Sequence, residues 1–239
     1  MKDDIATIYT IGYSDKTLTD FIRCLKKRGI DSIVDVRTIP KSKRFPDYNK
    51  ESIKKFLRKN QIFYFDFGKY FGARRNEKNV YDLTYSLKGD VQEQVIFEKV
   101  QNLDIFKEGV QRIEKGLNNG NKICFMCSEK NPVNCHRFWM VAMYFYCSLS
   151  IPIVNIIDVN DDETIDETIS HLNYEEEKRK FYSVNSSEIN GALMLGLEPI
   201  KWIDWWNRFF SLDNSNILKA KITFANTKIG YIKNERCDD

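Results

Sequence analysis

Two hydrophobic periods alternate along the first two thirds of the chain. Residues 7–14, TIYTIGYS, alternate apolar and polar and stop at Gly12, the pattern of a strand running into a tight loop. Over 16–28, Leu18, Phe21, Ile22 and Leu25 recur at helical spacing, with Ser14 or Asp15 placed to cap the helix and Gly29 to end it. DSIVDVR (31–37) is a short apolar run ending in charge, the form of a buried parallel strand. Together these make a β-α-β opening of about 30 residues, the length a right-handed crossover needs.

The same reading predicts a helix over 50–59, a strand over 62–67 and a polar, irregular stretch over 79–90. One long helix is expected over 92–117, with Phe97, Val100, Phe106, Val110, Ile113 and Leu117 facing inward. KICFMC (122–127) reads as a buried strand, CHRFWMVAMYFYC (135–147) as a helix apolar all round and therefore buried, and 150–158 as the last strand. Strands alternating with helices imply an α/β fold. The expectation for residues 1–158 is a three-layer, mainly parallel sheet with helices on both faces, Rossmann-like in outline.

After 158 the pattern changes. Residues 159–180 are rich in Asp, Glu and Thr and read as an acidic linker or solvated helix. Residues 181–239 read as a small C-terminal α+β appendage packed on the main domain. In it Trp202, Trp205, Trp206, Phe209 and Phe210 follow helical spacing, as core or interface, and 221–232 resembles a hairpin.

Composition adds bounds. Apolar residues make up 42% and charged residues 30% of 239, enough for a core. No apolar run approaches the roughly 18–20 residues of a membrane span, and the start carries no basic leader, so the expected location is the cytoplasm. The net charge of +3 conceals an asymmetry: residues 1–155 hold 27 basic against 18 acidic residues, the remainder 10 against 16. The first part suits an anionic partner. Of six cysteines, Cys24 and Cys147 sit among apolar residues and Cys237 in a charged tail, while Cys124, Cys127 and Cys135 cluster.

In a parallel sheet with helices on both faces, ligands bind beyond the carboxyl ends of the strands. That rule gathers Gly12-Tyr13-Ser14, Asp35-Val36-Arg37 and Cys127-Ser128-Glu129 at one edge. Cys127 through Arg137 is the segment richest in chemistry. A thiol at a strand end near basic groups is a candidate nucleophile. His136 is placed to shuttle a proton, Glu129 to act as acid or base, and Cys135 and Arg137 to help hold an anion. Asp35 and Arg37 share a strand face, so they pair with each other or serve the substrate. Ser42, Arg44 and Arg74 lie in basic loops with Phe45, Tyr48, Tyr70 and Phe71 interleaved, alongside Lys41, Lys43, Lys54, Lys55, Arg58, Lys59 and Arg75, a pattern of phosphate neutralisation with base stacking or of a solvated face.

Two familiar signatures fit this segment poorly. The Cys-x5-Arg spacing of phosphate-cradle phosphatases would put its arginine at 133, where Val133 stands. Zinc bound by Cys124, Cys127, Cys135 and His136 requires residues three apart in a strand to face one way, and they face opposite ways. A purely structural cluster, with Cys127 a buried thiol and His136 a helix cap, is the plain alternative. The expected function is an enzyme acting on a phosphate-bearing substrate, a nucleotide or nucleic acid, with no metal or other cofactor. Catalytic roles fall to Cys127, Glu129, His136 and Asp35. Substrate binding falls to Gly12, Tyr13, Ser14, Arg37, Ser42, Arg44, Arg74, Cys135 and Arg137. The alternative is a non-catalytic nucleic-acid-binding module in which the Cys-His-Arg segment is scaffold.

Four ordered motifs carry a resemblance: TIGYS, DVRTIPKS, the FGARR loop, and CSE followed by CHR. Over roughly residues 7–157 the chain resembles the family called domain of unknown function 488. The resemblance implies an α/β domain with Gly12, Ser14, Asp35, Arg37, Pro40, Ser42, Gly72, Arg74, Cys127, Glu129, Cys135, His136 and Arg137 as motif positions. It implies no reaction. The chain departs from the family pattern at Phe71-Gly72-Ala73, where two adjacent glycines are usual, and at Val154-Asn155-Ile156, where the last strand usually ends in a histidine.

Overall fold

A computed structural model of the chain describes residues 6–85 and 91–170. The opening is built as its periodicity implies: β1 (Ile8–Gly12), α1 (Leu18–Lys27), β2 (Ser32–Asp35). The cap of α1 is Thr17, whose side chain accepts the Asp20 N–H, rather than Ser14 or Asp15. Residues 13–16 first close a turn in which Lys16 N–H bonds the Tyr13 carbonyl, so the helix starts later. Then follow α2 (Lys50–Lys59), β3 (Phe63–Asp66) and α3 (Gly68–Phe71).

The next stretch differs from expectation. Residues expected to be irregular form β4 (Tyr81–Tyr85), which pairs antiparallel with β5 (Val91–Val95), and the long helix is two, α4 (Phe97–Gln101) and α5 (Asp104–Asn118). Leu103 adopts extended backbone (φ −67°, ψ 141°) between them and breaks the axis. Phe97, Val100, Phe106, Val110 and Ile113 still reach one core, which a single straight helix was not needed to achieve. β6 (Ile123–Cys127) leads through a short loop into a π-helical turn, Arg137–Ala142, continued by α6 (Met143–Leu149) and β7 (Ile153–Asp158). Within the stretch expected as acidic linker or solvated helix, β8 (Asp161–Thr164) continues the sheet antiparallel to β7, and the helix α7 (Ile165–Ser170) follows, with Ile165 buried in the core. The appendage at 181–239 and residues 171–180 lie outside the described residues.

The sheet order is β3-β2-β6-β1-β7-β8, and every pairing except β7–β8 is parallel. This is the expected α/β architecture, but its order is its own. A dinucleotide-binding sheet sets its first strand beside its second; here β6 stands between β1 and β2, pairing with both. Each face carries a core. Phe21, Cys24 and Leu25 of α1 and Ile53 and Leu57 of α2 pack with Ile33, Cys124 and Met126 on one face. The other face joins Phe71, Phe97, Phe106, Ile113 and the Arg137–Leu149 segment to Val34, Phe125 and Cys127. Successive residues of β6 therefore belong to opposite cores, as strand geometry requires. The chain leaves β1 and β2 toward the first face and β6 toward the second. Connections that part in this way open a crevice above the strand ends.

Candidate functional site: a basic pocket above a sulfur–imidazole floor

That crevice is a pocket of about 480 Å³ between the ends of β1, β2 and β6. The strands stay paired past their ends: Tyr13 N–H donates to the Cys127 carbonyl and Ser14 N–H to that of Ser128. This approach explains Gly12. A Cβ there would stand 1.8 Å from the Glu129 carbonyl oxygen, so only a residue without a side chain lets β1 pass the 129–130 loop. Gly12 shapes the pocket without lining it.

The basic rim comes from the loop after β2. Lys41, Lys43, Arg44 and Arg74 are exposed and line the pocket, while Glu129 is the single carboxylate in the lining. The loop is held by its own polar groups. Ser42 N–H donates to Asn49 Oδ1 at 2.6 Å, Ser42 Oγ accepts the Phe45 N–H, and Lys50 N–H donates to the Pro40 carbonyl. Ser42 thus lines the pocket chiefly as a loop brace. Thr38 Oγ1 accepts the Arg74 N–H at 3.0 Å and ties the second basic loop to the first. Arg44 lies over the half-buried Phe45 ring, 5.2 Å from its centroid. The other basic residues of the sequence pattern are elsewhere. Lys54, Lys55, Arg58 and Lys59 form the solvated side of α2, and Arg75 is buried in an ion pair with Glu77. Tyr70 and Phe71 are core residues, not stacking platforms.

Asp35 and Arg37 resolve as a pair. The fully buried Asp35 accepts from Arg37 Nε at 2.8 Å and from Nη2, from the Arg37 N–H at 3.1 Å, and from Tyr64 Oη at 2.7 Å. Arg37 also donates to Tyr13 Oη and to the Tyr48 carbonyl. Burial works against the Arg37 charge, but Asp35 outweighs it and the guanidinium pKa rises. Burial likewise raises Tyr13, whose ring stacks on Tyr48 at 4.2 Å. Asp35 does not line the pocket, and with its oxygens occupied by four donors it is no acid or base for a substrate. It positions Arg37, which does reach the pocket wall.

Cys127 and His136 form the floor, 3% exposed each, with Cys135 fully buried behind them. His136 Nε2 lies 3.0 Å from the Val36 carbonyl oxygen. A carbonyl only accepts, so Nε2 carries the hydrogen and the ring turns Nδ1 to the sulfurs. Nδ1 stands 3.9 Å from both Cys127 Sγ and Cys135 Sγ. The two thiols divide the work of ionisation. The Cys127 thiol is pushed well above its usual range by its hydrogen bond to Cys135 and by burial. Burial also opposes ionisation of Cys135, yet the Cys127 thiol, Arg137 and His136 together hold it well below that range.

Arg137 is not an anion holder. It is 1% exposed and spends its donors on the carbonyls of Glu129 and Lys130 and on Thr10 Oγ1. It clamps the loop that forms one pocket wall. Its neighbour in that network is Asn155, which accepts from Thr10 at 2.8 Å and donates to Thr168 at 2.9 Å. In the stretch Val154-Asn155-Ile156, where the chain departs from the pattern it resembles, Asn155 is thus a buried structural amide. Cys124, the remaining cysteine of the segment, lies in the opposite core, as alternation requires.

Of the residues singled out from sequence, Tyr13, Ser14, Arg37, Ser42, Arg44, Arg74, Cys127, Glu129 and His136 line the pocket, and Gly12, Asp35, Cys135 and Arg137 support it from behind. Ser128 of the third strand-end triplet also lines it, with Thr38, Ile39 and Ala73, whose residue types carry no signal of their own: Thr38 adjoins Arg37 and Ala73 adjoins Arg74, while Ile39 adjoins neither charge nor sulfur.

A model of the family described as Domain of unknown function DUF488 matches residues 17–144, more than half of the chain. No curated protein and no solved structure matches it. Among the described residues no helix is long and apolar enough to cross a membrane.

Proposed function

This chain belongs to the family described as Domain of unknown function DUF488, and from that premise we propose that it is an enzyme acting on a phosphate-bearing substrate, a nucleotide or nucleic acid, in the pocket above Cys127 and His136. The observation that carries the reading is the lining: Lys41, Lys43, Arg44 and Arg74 line a pocket whose single carboxylate is Glu129. Several cations around a half-enclosed space favour a multiply charged anion, because partial burial weakens solvent screening. Phe45, half-buried at the same rim, offers a face on which a base stacks. The phosphate is held at the rim and the reacting bond lies over the floor. There Cys127 is un-ionised at rest, so His136 first takes its proton and the freed sulfur supplies the chemistry, while Glu129 transfers protons at the edge. Asp35, Cys135 and Arg137 act through the groups they hold. The thiols of Cys24, Cys124, Cys127 and Cys135 are free, which accords with a cytoplasmic location.

The test is turnover. Purified protein is offered nucleoside mono-, di- and triphosphates and short single-stranded oligonucleotides, with products resolved chromatographically. Product formation by the wild type that Cys127→Ala abolishes supports the enzyme. Binding with no product, unaltered in Cys127→Ala, supports a second reading. In it the chain is a nucleic-acid-binding module and the cysteine–histidine–arginine segment is scaffold, which the burial of Cys135 and Arg137 favours.

A further inference from the structure

The floor of the pocket brings together three soft donor atoms. Cys127 Sγ, Cys135 Sγ and a His136 ring nitrogen all lie within 4.8 Å of one another. They come from two segments far enough apart in sequence that their meeting is a property of the fold: Cys127 ends β6, and Cys135 and His136 precede the π-helical turn. From this arrangement we infer that Cys127, Cys135 and His136 bind a thiophilic divalent cation of the zinc class, with its fourth coordination position opening into the basic pocket.

Distance supports this first. A tetrahedral zinc site has Zn–S near 2.3 Å and Zn–N near 2.0–2.1 Å, which sets sulfur and nitrogen roughly 3.5 Å apart. Here His136 Nδ1 is 3.9 Å from each sulfur, so nitrogen and sulfur reach that spacing by closing a few tenths of an ångström. The imidazole is also oriented as a ligand. Its Nε2–H donates to the Val36 carbonyl, the outer-shell bond that fixes the tautomer and aims Nδ1 in metal-bound histidines. Two thiolates and a neutral ring then offset the double charge of the ion, so a buried position does not leave it unpaired.

The donor set differs from the one the sequence spacing suggested. Cys124 faces the opposite core, and its place as fourth ligand is taken by the pocket. Cys127 and His136 line that pocket and Cys135 lies behind. Three protein ligands with one open position are the form of a catalytic rather than a structural zinc site. A water or a phosphoryl oxygen from the pocket fills it, and the ion polarises that oxygen. This last step rests on the function proposed above; the metal site itself does not.

The experiment uses the full chain, stripped of metal under reducing conditions and titrated with Co2+ and then Zn2+. Binding at one equivalent should give thiolate-to-cobalt charge transfer and the intense visible bands of tetrahedral Co2+, both lost when one equivalent of Zn2+ displaces the cobalt. Cys127→Ser and Cys135→Ser should each remove the charge-transfer band or weaken binding at least tenfold. Cys124→Ser and Cys237→Ser should leave it unchanged. His136→Cys keeps three soft ligands and should shift the spectrum rather than erase it, which separates ligand loss from misfolding. Octahedral cobalt spectra in the wild type, or equal loss in Cys124→Ser, would overturn the assignment. Phosphate-ligand binding is measured in the stripped protein, so failure of either idea is seen apart from the other.

Discussion

His136 Nε2 lies 3.0 Å from the Val36 carbonyl oxygen, a contact across 100 residues that ties the end of β2 to the floor of the pocket. It turns Nδ1 of the imidazole to the two sulfurs. Every property assigned to the floor depends on that orientation.

The Asp35–Arg37 pair is a structural requirement with a functional consequence. Arg37→Ala leaves a fully buried carboxylate with only Tyr64 Oη and one N–H, and should cost about 3–5 kcal/mol. Arg37→Lys should recover only part of this, because a point charge does not reproduce the two-pronged contact. Denaturant unfolding midpoints at constant m-value check both. A loss below about 1 kcal/mol in Arg37→Ala would show that the pair is not buried as described.

Gly12→Ala should destabilise the fold and move the 129–130 loop, since its Cβ would meet the Glu129 carbonyl oxygen at 1.8 Å and the carbonyl carbon at 2.7 Å. Overpacking against backbone costs on the order of 1–3 kcal/mol. Thermal unfolding reads the loss, and the same variant should bind phosphate ligands more weakly because Glu129 and Ser128 form a pocket wall.

Acid should weaken the fold through specific carboxylates. Burial acts to raise Asp66, but Lys50 and the Gly68 N–H outweigh it and hold it below the usual carboxylate range. Lys16 and Lys130 do the same against burial for Asp15, as Arg75 does for Glu77. A carboxylate lowered on folding stabilises above its unfolded pKa, roughly pH 4, and that contribution is lost as pH falls through the folded value. The melting-temperature gap between wild type and Asp66→Asn should therefore narrow from pH 7 to about pH 3. A gap that stays constant or widens would contradict the assignment.

Single-stranded oligonucleotide binding should weaken linearly with the logarithm of salt. Each of Lys41→Ala, Lys43→Ala and Arg44→Ala should reduce the slope by about 0.7. Fluorescence anisotropy between low and moderate salt measures it. A flat response would remove the nucleic-acid form of the substrate.

Much of this was legible in sequence. The strand–helix alternation placed β1, β2, β3, β6 and β7, and the rule of strand ends collected Tyr13, Arg37 and Cys127 before any coordinates. What was hidden follows from physics that local pattern does not carry. Leu103 breaks a helix whose inward residues keep their spacing, so periodicity ran straight through it. β5 reads VQEQV, polar through its middle, and β8 is acidic and exposed at the sheet edge. Asp35, Cys135 and Arg137 were chosen for their chemistry, but side-chain direction decides that they point behind the pocket wall. The meeting of Cys127, Cys135 and His136 depends on the path of the loop between them, which residue spacing does not specify.

The most direct test of a phosphate site above Cys127 and His136 is calorimetric titration of nucleoside triphosphate into three proteins at low salt. Wild type should bind, and Lys43→Glu/Arg44→Glu, which reverses charge at the rim, should not. Lys54→Glu/Lys55→Glu, on the outer face of α2, should bind as the wild type does. Equal weakening by both double variants, or no binding by the wild type, would contradict the account.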